Sequence, residues 1–309
     1  MTSPDISLGP PRGMRDFYPE DMAVRNALFE AWKTAAARFG FSPYDACVVE
    51  TLDLLKRKAG EEIVGQTYVF TDKSGRDLAL RPEMTPTLAR MVAARQGSLA
   101  FPLKWYAIAQ CFRYERMTRG RKREHYQWNL DIIGEESVAA EAEVLATAAC
   151  ALALLGLSQD DYLIHFSSRA LLADLLLKLG IPGQFHAATF LALDKRGKQE
   201  DAEIQTMLGE AGLDDGSIKS VFNLLNLATL DEVAGVFDSP PASLVAVRQL
   251  LGILEAYGIP GLMKFDISVV RGLSYYTGTV FEAFDRNRKF RAIFGGGRYD
   301  NLLNDIGGA

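Results

Sequence analysis

Three cysteines and three histidines among 309 residues leave this chain short of metal ligands and covalent staples. Cys47, Cys111 and Cys150 are scattered, with no CxxC pair and no neighbouring histidine. That excludes a disulfide framework and a zinc ribbon, and reads as the reduced thiols of a cytoplasmic protein. His125, His165 and His186 stand apart, outside any HExxH pattern and without a carboxylate at ligand spacing. No metal centre and no histidine-centred acid–base pair is expected from them. GxSxG, GxxxxGK(S/T) and GxGxxG are all missing, which removes the hydrolase elbow and the common phosphate loops. No apolar run approaches the roughly 18 residues of a membrane span. Residues 1–11 are polar and hold no apolar export core, and neither repeats nor low-complexity tracts occur.

What is present is a globular composition, 48% hydrophobic and 24% charged. At roughly 100–200 residues per domain, the length suits one large domain or two modest ones. A net charge of -5 argues against polyanion binding over the whole surface. Charge is nevertheless uneven. Between 113 and 123 come Arg113, Arg116, Arg119, Arg121, Lys122 and Arg123, against Glu115 alone.

Apolar residues at helical spacing predict an amphipathic helix over 21–40, with Gly40 beyond its end. Tyr68-Val-Phe and Leu78-Ala-Leu flank a loop ending at Gly75, which predicts a hairpin. Thr85-Pro86 then opens a helix running to about Arg95, with threonine as cap. Residues 105–115 and 125–133 predict two strands joined by the basic loop. Alternation in the second puts Gln127, Asn129 and Asp131 on one side, and Tyr126, Trp128, Leu130 and Ile132 on the other. An alanine-rich helix over 141–155 is followed by helical segments at 171–179, 202–211, 217–226, 229–237 and 244–257. Strand character returns at 264–270, 279–284 and 290–294, before Gly295-Gly-Gly297.

Three local patterns can carry chemistry. In the basic hairpin, alternation places Arg113 and Glu115 on one face, and loop arginines can grip a polyphosphate through bidentate bonds; a solvated charge run is the plain alternative. Glu83 and Thr85, between a strand end and a helix start, can hold an ammonium, or can simply cap that helix and complement its dipole. Arg271, amid apolar and aromatic neighbours at a strand end, needs an anionic partner, internal or bound. The glycines 295–297 read as a strand-end kink. The polar row on the second strand is either a solvated face or a binding surface.

Together these residues resemble the catalytic core of class II aminoacyl-tRNA synthetases, in particular the histidyl-tRNA synthetase family. Phe112-Arg-Tyr-Glu115, Gly120-Arg121 and Gln127-Trp-Asn-Leu-Asp131 resemble the strand–loop–strand of that class's motif 2. Arg81-Pro-Glu-Met-Thr85 is similar to its amino-acid-binding segment. Arg271-Gly-Leu-Ser-Tyr-Tyr276, Thr279-Val-Phe-Glu282 and Gly296-Gly-Arg-Tyr-Asp300 resemble a signature of the histidyl members. Gly13-Met-Arg-Asp-Phe-Tyr-Pro19 with the following helix resembles the lead-in and motif 1. The likeness spans essentially all of the chain.

The resemblance implies an α+β fold, an antiparallel β-sheet flanked by helices, in a homodimer. It divides the chain into a catalytic core at 1–168, a helical insertion at 169–261 and the core continued at 262–309. The implied chemistry joins ATP and L-histidine into histidyl-adenylate, with Mg2+ bridging the phosphates, and then transfers histidine to tRNA(His). By position, Glu83 and Thr85 would hold the histidine ammonium, and Gln127, Asp131, Tyr275 and Tyr276 would surround the side chain. Arg113 would grip the α-phosphate, Glu115 would face the adenine amino group and Arg121 would reach the γ-phosphate. Arg271 would sit opposite Arg113 across the reacting centre, both also touching histidine. Three departures stand out: Cys47 replaces a motif 1 proline, Ser274 replaces an aspartate, and the sequence stops at Ala309 before motif 3 and the anticodon-binding domain. The expectation is a fragment or a shortened relative. A synthetase-like regulatory subunit of ATP phosphoribosyltransferase is the alternative, but a silent relative has no reason to keep Arg113, Glu115, Arg121 and Arg271 beside Gln127 and Asp131.

Overall fold

Helix α1 (Pro19–Arg38) starts two residues before the amphipathic pattern, because Pro19 suits a first-turn position and Glu20 and Asp21 complement the dipole. It ends as expected, with Gly40 in the left-handed region at φ +72°. The computed structural model describes residues 8–118, 120–196, 199–271 and 276–306. These fall into two compact units, Met1–Glu135 with Leu302–Ala309, and Glu136–Asn301.

In the first unit, α1 is followed by β1 (Ser42–Pro43), β2 (Val49–Thr51), α2 (Leu52–Gly65), β3 (Val69–Thr71) and β4 (Asp77–Leu80). Strands β2, β4 and β3 make a small antiparallel sheet. The β3–β4 hairpin is as the sequence predicts; the Asp72 carboxylate turns it by accepting from the main-chain N of Ser74 (2.8 Å) and Arg76 (2.9 Å). Helix α3 (Thr85–Arg95) corrects one expectation. Thr85 is its first helical residue and Met84 the cap, with no side-chain capping bond.

The long antiparallel ladder of β5 (Leu103–Phe112) and β6 (Glu124–Ile133) runs from Leu103 opposite Ile133 to Phe112 opposite Glu124, and β1 joins β5 in parallel. Alternation sorts β6 into two faces. Tyr126 and Trp128 meet α1: Trp32 stacks on Trp128 with ring centroids 5.7 Å apart and planes 4° from parallel, and Phe29 meets Tyr126 edge-on. Strand β5 stops at Phe112, three residues before its expected end. The Arg113 amide bonds the Arg123 carbonyl and the Glu115 amide folds back onto the Arg113 carbonyl, so strict alternation no longer aligns those two side chains. A last helical turn, Leu302–Asp305, returns to this unit, where Leu303 packs near Leu88, Val92 and Leu103.

The second unit holds α4 (Ala139–Leu154), β7 (Tyr162–Ser168), α5 (Arg169–Lys178), α6 (His186–Asp194), α7 (Asp201–Glu210), α8 (Asp215–Leu224), α9 (Leu230–Ala234) and α10 (Ala242–Ala256), then β8 (Met263–Phe265), β9 (Thr279–Asp285) and β10 (Phe294–Gly297). The strand order is β10-β9-β7-β8, with only β7 and β8 parallel among these neighbours. Caps fix the helix starts: Ser168 accepts from Leu171 N, Asp214 from Ser217 N, and Thr229 forms a capping box with Glu232. One apolar core joins sheet and helices, from Ile164 and Phe166 through Leu172 and Leu175 to Leu208, Val221 and Leu250. Antiparallel-rich sheets flanked by helices give the α+β class expected.

Two strand expectations are corrected here. Strand β8 ends at Phe265, not Val270, because Asp266 accepts from Ser268 N and Oγ and turns the chain. Glycines 295–297 lie within β10, paired with Glu282, Phe281 and Val280, and do not form a kink. Among the described residues no helix is long and apolar enough to cross a membrane.

Beyond β10, Arg298 grips the buried Glu141 of α4 with two parallel bonds, Nε to Oε1 at 2.7 Å and Nη2 to Oε2 at 2.6 Å. Without Glu141, Arg298 keeps only the Ser137 carbonyl (2.8 Å) and the longer contact to the exposed Asp300 (3.3 Å) among the bonds described. Glu141→Ala is expected to lower unfolding free energy by about 3 kcal/mol. Urea unfolding checks this, and a change within the noise would mean that the pair contributes nothing to stability.

Candidate active site

In the first unit the candidate groups converge on the face of the β5–β6 ladder opposite α1. Gln127 and Asn129 pair across the ladder with Ala109 and Ala107. Those small residues let Met84, Tyr44 and Ala46 pack down on β5 beside the polar row of β6. Asp131 is buried, Gln127 and Asn129 half-buried. The Cys111 thiol lies 3.5 Å from Gln127 Oε1. Burial pushes that thiol up to about 12, Arg81 and Arg113 oppose the shift, and Glu83 adds to it. Glu83, Arg113 and Gln127 are therefore gathered around one buried sulfur. Tyr44, which the sequence did not single out, belongs to the same face. Burial raises its phenol first and Asp131 second, and its hydroxyl is buried without a hydrogen-bond partner among the described residues. Asn129 Oδ1 is likewise buried and unbonded, an acceptor a ligand could use.

The Glu83 segment is set by a second residue the sequence did not single out for a role, Arg81, 2% exposed. Its Nε donates to the Gln110 carbonyl (2.9 Å) and its Nη1 to the Ala46 carbonyl (2.9 Å) and Asp45 Oδ1 (3.3 Å). Arg113 Nε in turn donates to the Pro82 carbonyl at 2.9 Å. Thr85, half-buried, follows at the start of α3. In the loop Arg121 forms an ion pair with Glu115, and Thr118 and Arg121 bridge each other's main chain. Arg123 lies over the Tyr114 ring at 3.8 Å. Arg119 lies outside the described residues.

In the second unit Arg271 occupies the left-handed region at φ +53°. Its Nη1 reaches Glu282 Oε1 at 3.3 Å and the Phe281 carbonyl at 3.5 Å, and its Nε is buried without a partner among the described residues. The space it fills is made by a glycine: a Cβ at Gly295 would overlap its guanidinium. Tyr276 is buried, its ring 5.7 Å from the Arg271 guanidinium. Tyr275 lies outside the described residues. The described side chains include no cluster of three or more His, Cys, Asp or Glu able to hold a metal ion.

Comparisons with known proteins agree on one family. The profile described as histidyl-tRNA synthetase matches residues 13–309. The chloroplastic/mitochondrial histidine–tRNA ligase of Arabidopsis thaliana is 46% identical over 303 residues, covering 98% of this chain and 62% of that protein. The histidine–tRNA ligase of Opitutus terrae is 42% identical over 302 residues, covering 96% of this chain and 69% of that one. A solved structure, the ATP phosphoribosyltransferase regulatory subunit/histidyl-tRNA synthetase from Bacillus halodurans, is similar with a TM-score of 0.84 at 26% identity, covering 98% of this chain and 79% of its own. The chain thus spans less than two thirds of the Arabidopsis relative.

His125, beside the loop, has its imidazole pushed down to about 4, by burial first and then by Arg113 and Arg121. Between about 4 and its ordinary 6.5 the unfolded chain binds a proton that the folded chain refuses. The stabilisation is complete above pH 6.5 and is lost as pH falls toward 4. His125→Gln is expected to flatten that part of the stability–pH curve, measured by urea midpoints; an unchanged slope would assign it to other groups.

Proposed function

The chain belongs to the histidyl-tRNA synthetase family, and from that premise we propose that it activates L-histidine with ATP and passes it to tRNA(His). The observation that carries this reading is the polar row of β6, with buried Asp131, on the same face as Glu83 and Arg113. A carboxylate can accept from an imidazole N–H, a bond that an amino acid lacking that donor does not make. Gln127 adds a second polar contact to the histidine side chain, and Glu83 and Thr85 hold the ammonium.

In the first step the histidine carboxylate oxygen attacks the α-phosphorus of ATP, that new P–O bond forms, and the bond to pyrophosphate breaks. The reaction needs alignment and cations, with no protein nucleophile. Arg113 binds the α-phosphate, and Arg271 is the second catalytic arginine, stabilising charge that develops at phosphorus. Arg121 exchanges Glu115 for the γ-phosphate, which frees Glu115 for the adenine amino group. Mg2+, when bound with ATP, would supply further positive charge for the developing negative charge. In the second step a ribose hydroxyl of the terminal adenosine takes the histidyl group and AMP leaves. The protein works as a homodimer in the cytoplasm; exposed Val49, Val69 and Phe70 on the small sheet and free thiols support that reading.

The Bacillus halodurans structure lends weight to one other reading, a regulatory subunit of ATP phosphoribosyltransferase that binds without catalysing. Gel filtration after mixing with ATP, Mg2+ and labelled histidine separates the two. Protein-bound histidyl-adenylate is expected; bound histidine without AMP would favour the regulatory subunit. Asp131→Ala is expected to lower discrimination against amino acids lacking an imidazole by about tenfold or more in competition assays. Unchanged discrimination would remove Asp131 from the pocket.

A further inference from the structure

Arg169 opens α5, outside every motif of the family likeness, yet its side chain is enclosed by the segment that carries Arg271. It is 8% exposed. Its Nε donates to the Val270 carbonyl (3.2 Å), Nη2 to the Arg271 carbonyl (3.1 Å) and Nη1 to the Tyr276 carbonyl (2.8 Å). Its own main-chain N donates to the Gly278 carbonyl at 2.9 Å. One residue thereby ties both ends of the stretch from 270 to 278. A guanidinium presents its donors in a rigid planar fork, so three carbonyls held by it are fixed relative to one another. The ring of Phe190, on α6, lies 5.1 Å from that guanidinium.

We propose that Arg169 is a positioning residue for the activation step, aiming Arg271 by fixing the peptide groups around it without touching substrate. The proposal rests on the catalytic reading of Arg271. Two features of Arg271 show why it needs such a device. Its φ of +53° is one that a non-glycine residue keeps only when its surroundings impose it. Its side chain, moreover, is weakly held at the head: two Nη1 contacts of 3.3 and 3.5 Å, and an Nε with no partner among the described residues. The direction of that side chain is therefore set from its backbone, and the backbone is held by Arg169.

The test uses the full chain and the variants Arg169→Lys, Arg271→Ala and the double mutant, read as the single-turnover rate of histidyl-adenylate formation, the Kd of histidine and of ATP, and Tm. Lysine keeps the charge and cannot span three carbonyls. Arg169→Lys is expected to slow adenylate formation by about tenfold to a hundredfold, the effect of misplacing a catalytic group by an ångström or less. Both dissociation constants should stay within about threefold, since only the transition state is affected. The double mutant should be no slower than Arg271→Ala, because the clamp acts only through Arg271. Phe190→Leu keeps the donors and removes the ring beside them; it serves as a second, milder variant should Arg169→Lys lower Tm too far to assay. It should slow Arg271-containing enzyme by about threefold and leave the Arg271→Ala background unchanged. A folded Arg169→Lys protein at the wild-type rate, or losses that multiply in the double mutant, would overturn the positioning role. Arg271→Ala at the wild-type rate would instead overturn the catalytic reading of Arg271.

Discussion

A buried guanidinium bonded to main-chain carbonyls is the interaction on which the candidate groups of each unit depend. Arg81 ties Gln110 and Ala46 to the segment bearing Glu83, and Arg113 bonds Pro82 within that same segment. Arg169 does the equivalent for Val270, Arg271 and Tyr276. Each such bond to a charged donor contributes about 1.5–3 kcal/mol, and a buried charge left without them costs more. The loops cannot drift without breaking several at once. Among the described residues, the main chain at Ala46, Gln110, Pro82, Val270, Arg271 and Tyr276 is restrained in this way.

Protonation behaviour in the first unit suits a reaction run by charge and alignment. Burial keeps Tyr44 as a phenol, Cys111 as a thiol and His125 as a neutral imidazole near pH 7. None of these three is poised to shuttle protons at neutrality. Glu83 and Asp131 supply negative charge on the face where Arg113 supplies positive charge. An ammonium and an imidazole N–H can be held by the first pair, a phosphate by the second. Substitution at phosphorus by a carboxylate asks for little else.

The sequence made the ladder of β5 and β6 legible because period-two alternation survives wherever both faces are in use. Gln127, Asn129 and Asp131 share their face for that reason, and Tyr126 and Trp128 could be assigned to the covered one. The hairpin at Asp72–Gly75 was readable from local chemistry, whereas the one cap read from the sequence, Thr85, proved to be the first helical residue of α3. The ends of β5 and β8 were not, because a main-chain bond at Glu115 and the side chain of Asp266 end them without a glycine or proline to announce it. The glycines 295–297 looked like a kink because a strand that makes room for the Arg271 guanidinium has no periodic signature. Arg81 and Arg169 had no signal as supports: an arginine that bonds carbonyls far away in sequence looks like any other. Tyr44 was hidden likewise, since its place on this face comes from packing against residues distant in sequence.

The most direct measurement is amino-acid-dependent exchange of labelled pyrophosphate into ATP, with histidine and with each of the other nineteen amino acids. Exchange supported by histidine alone is the expected result, because the proposed pocket assigns Asp131 and Gln127 to the imidazole of the substrate. Exchange that is equally fast with several amino acids would contradict the assignment of the β6 face as the histidine site.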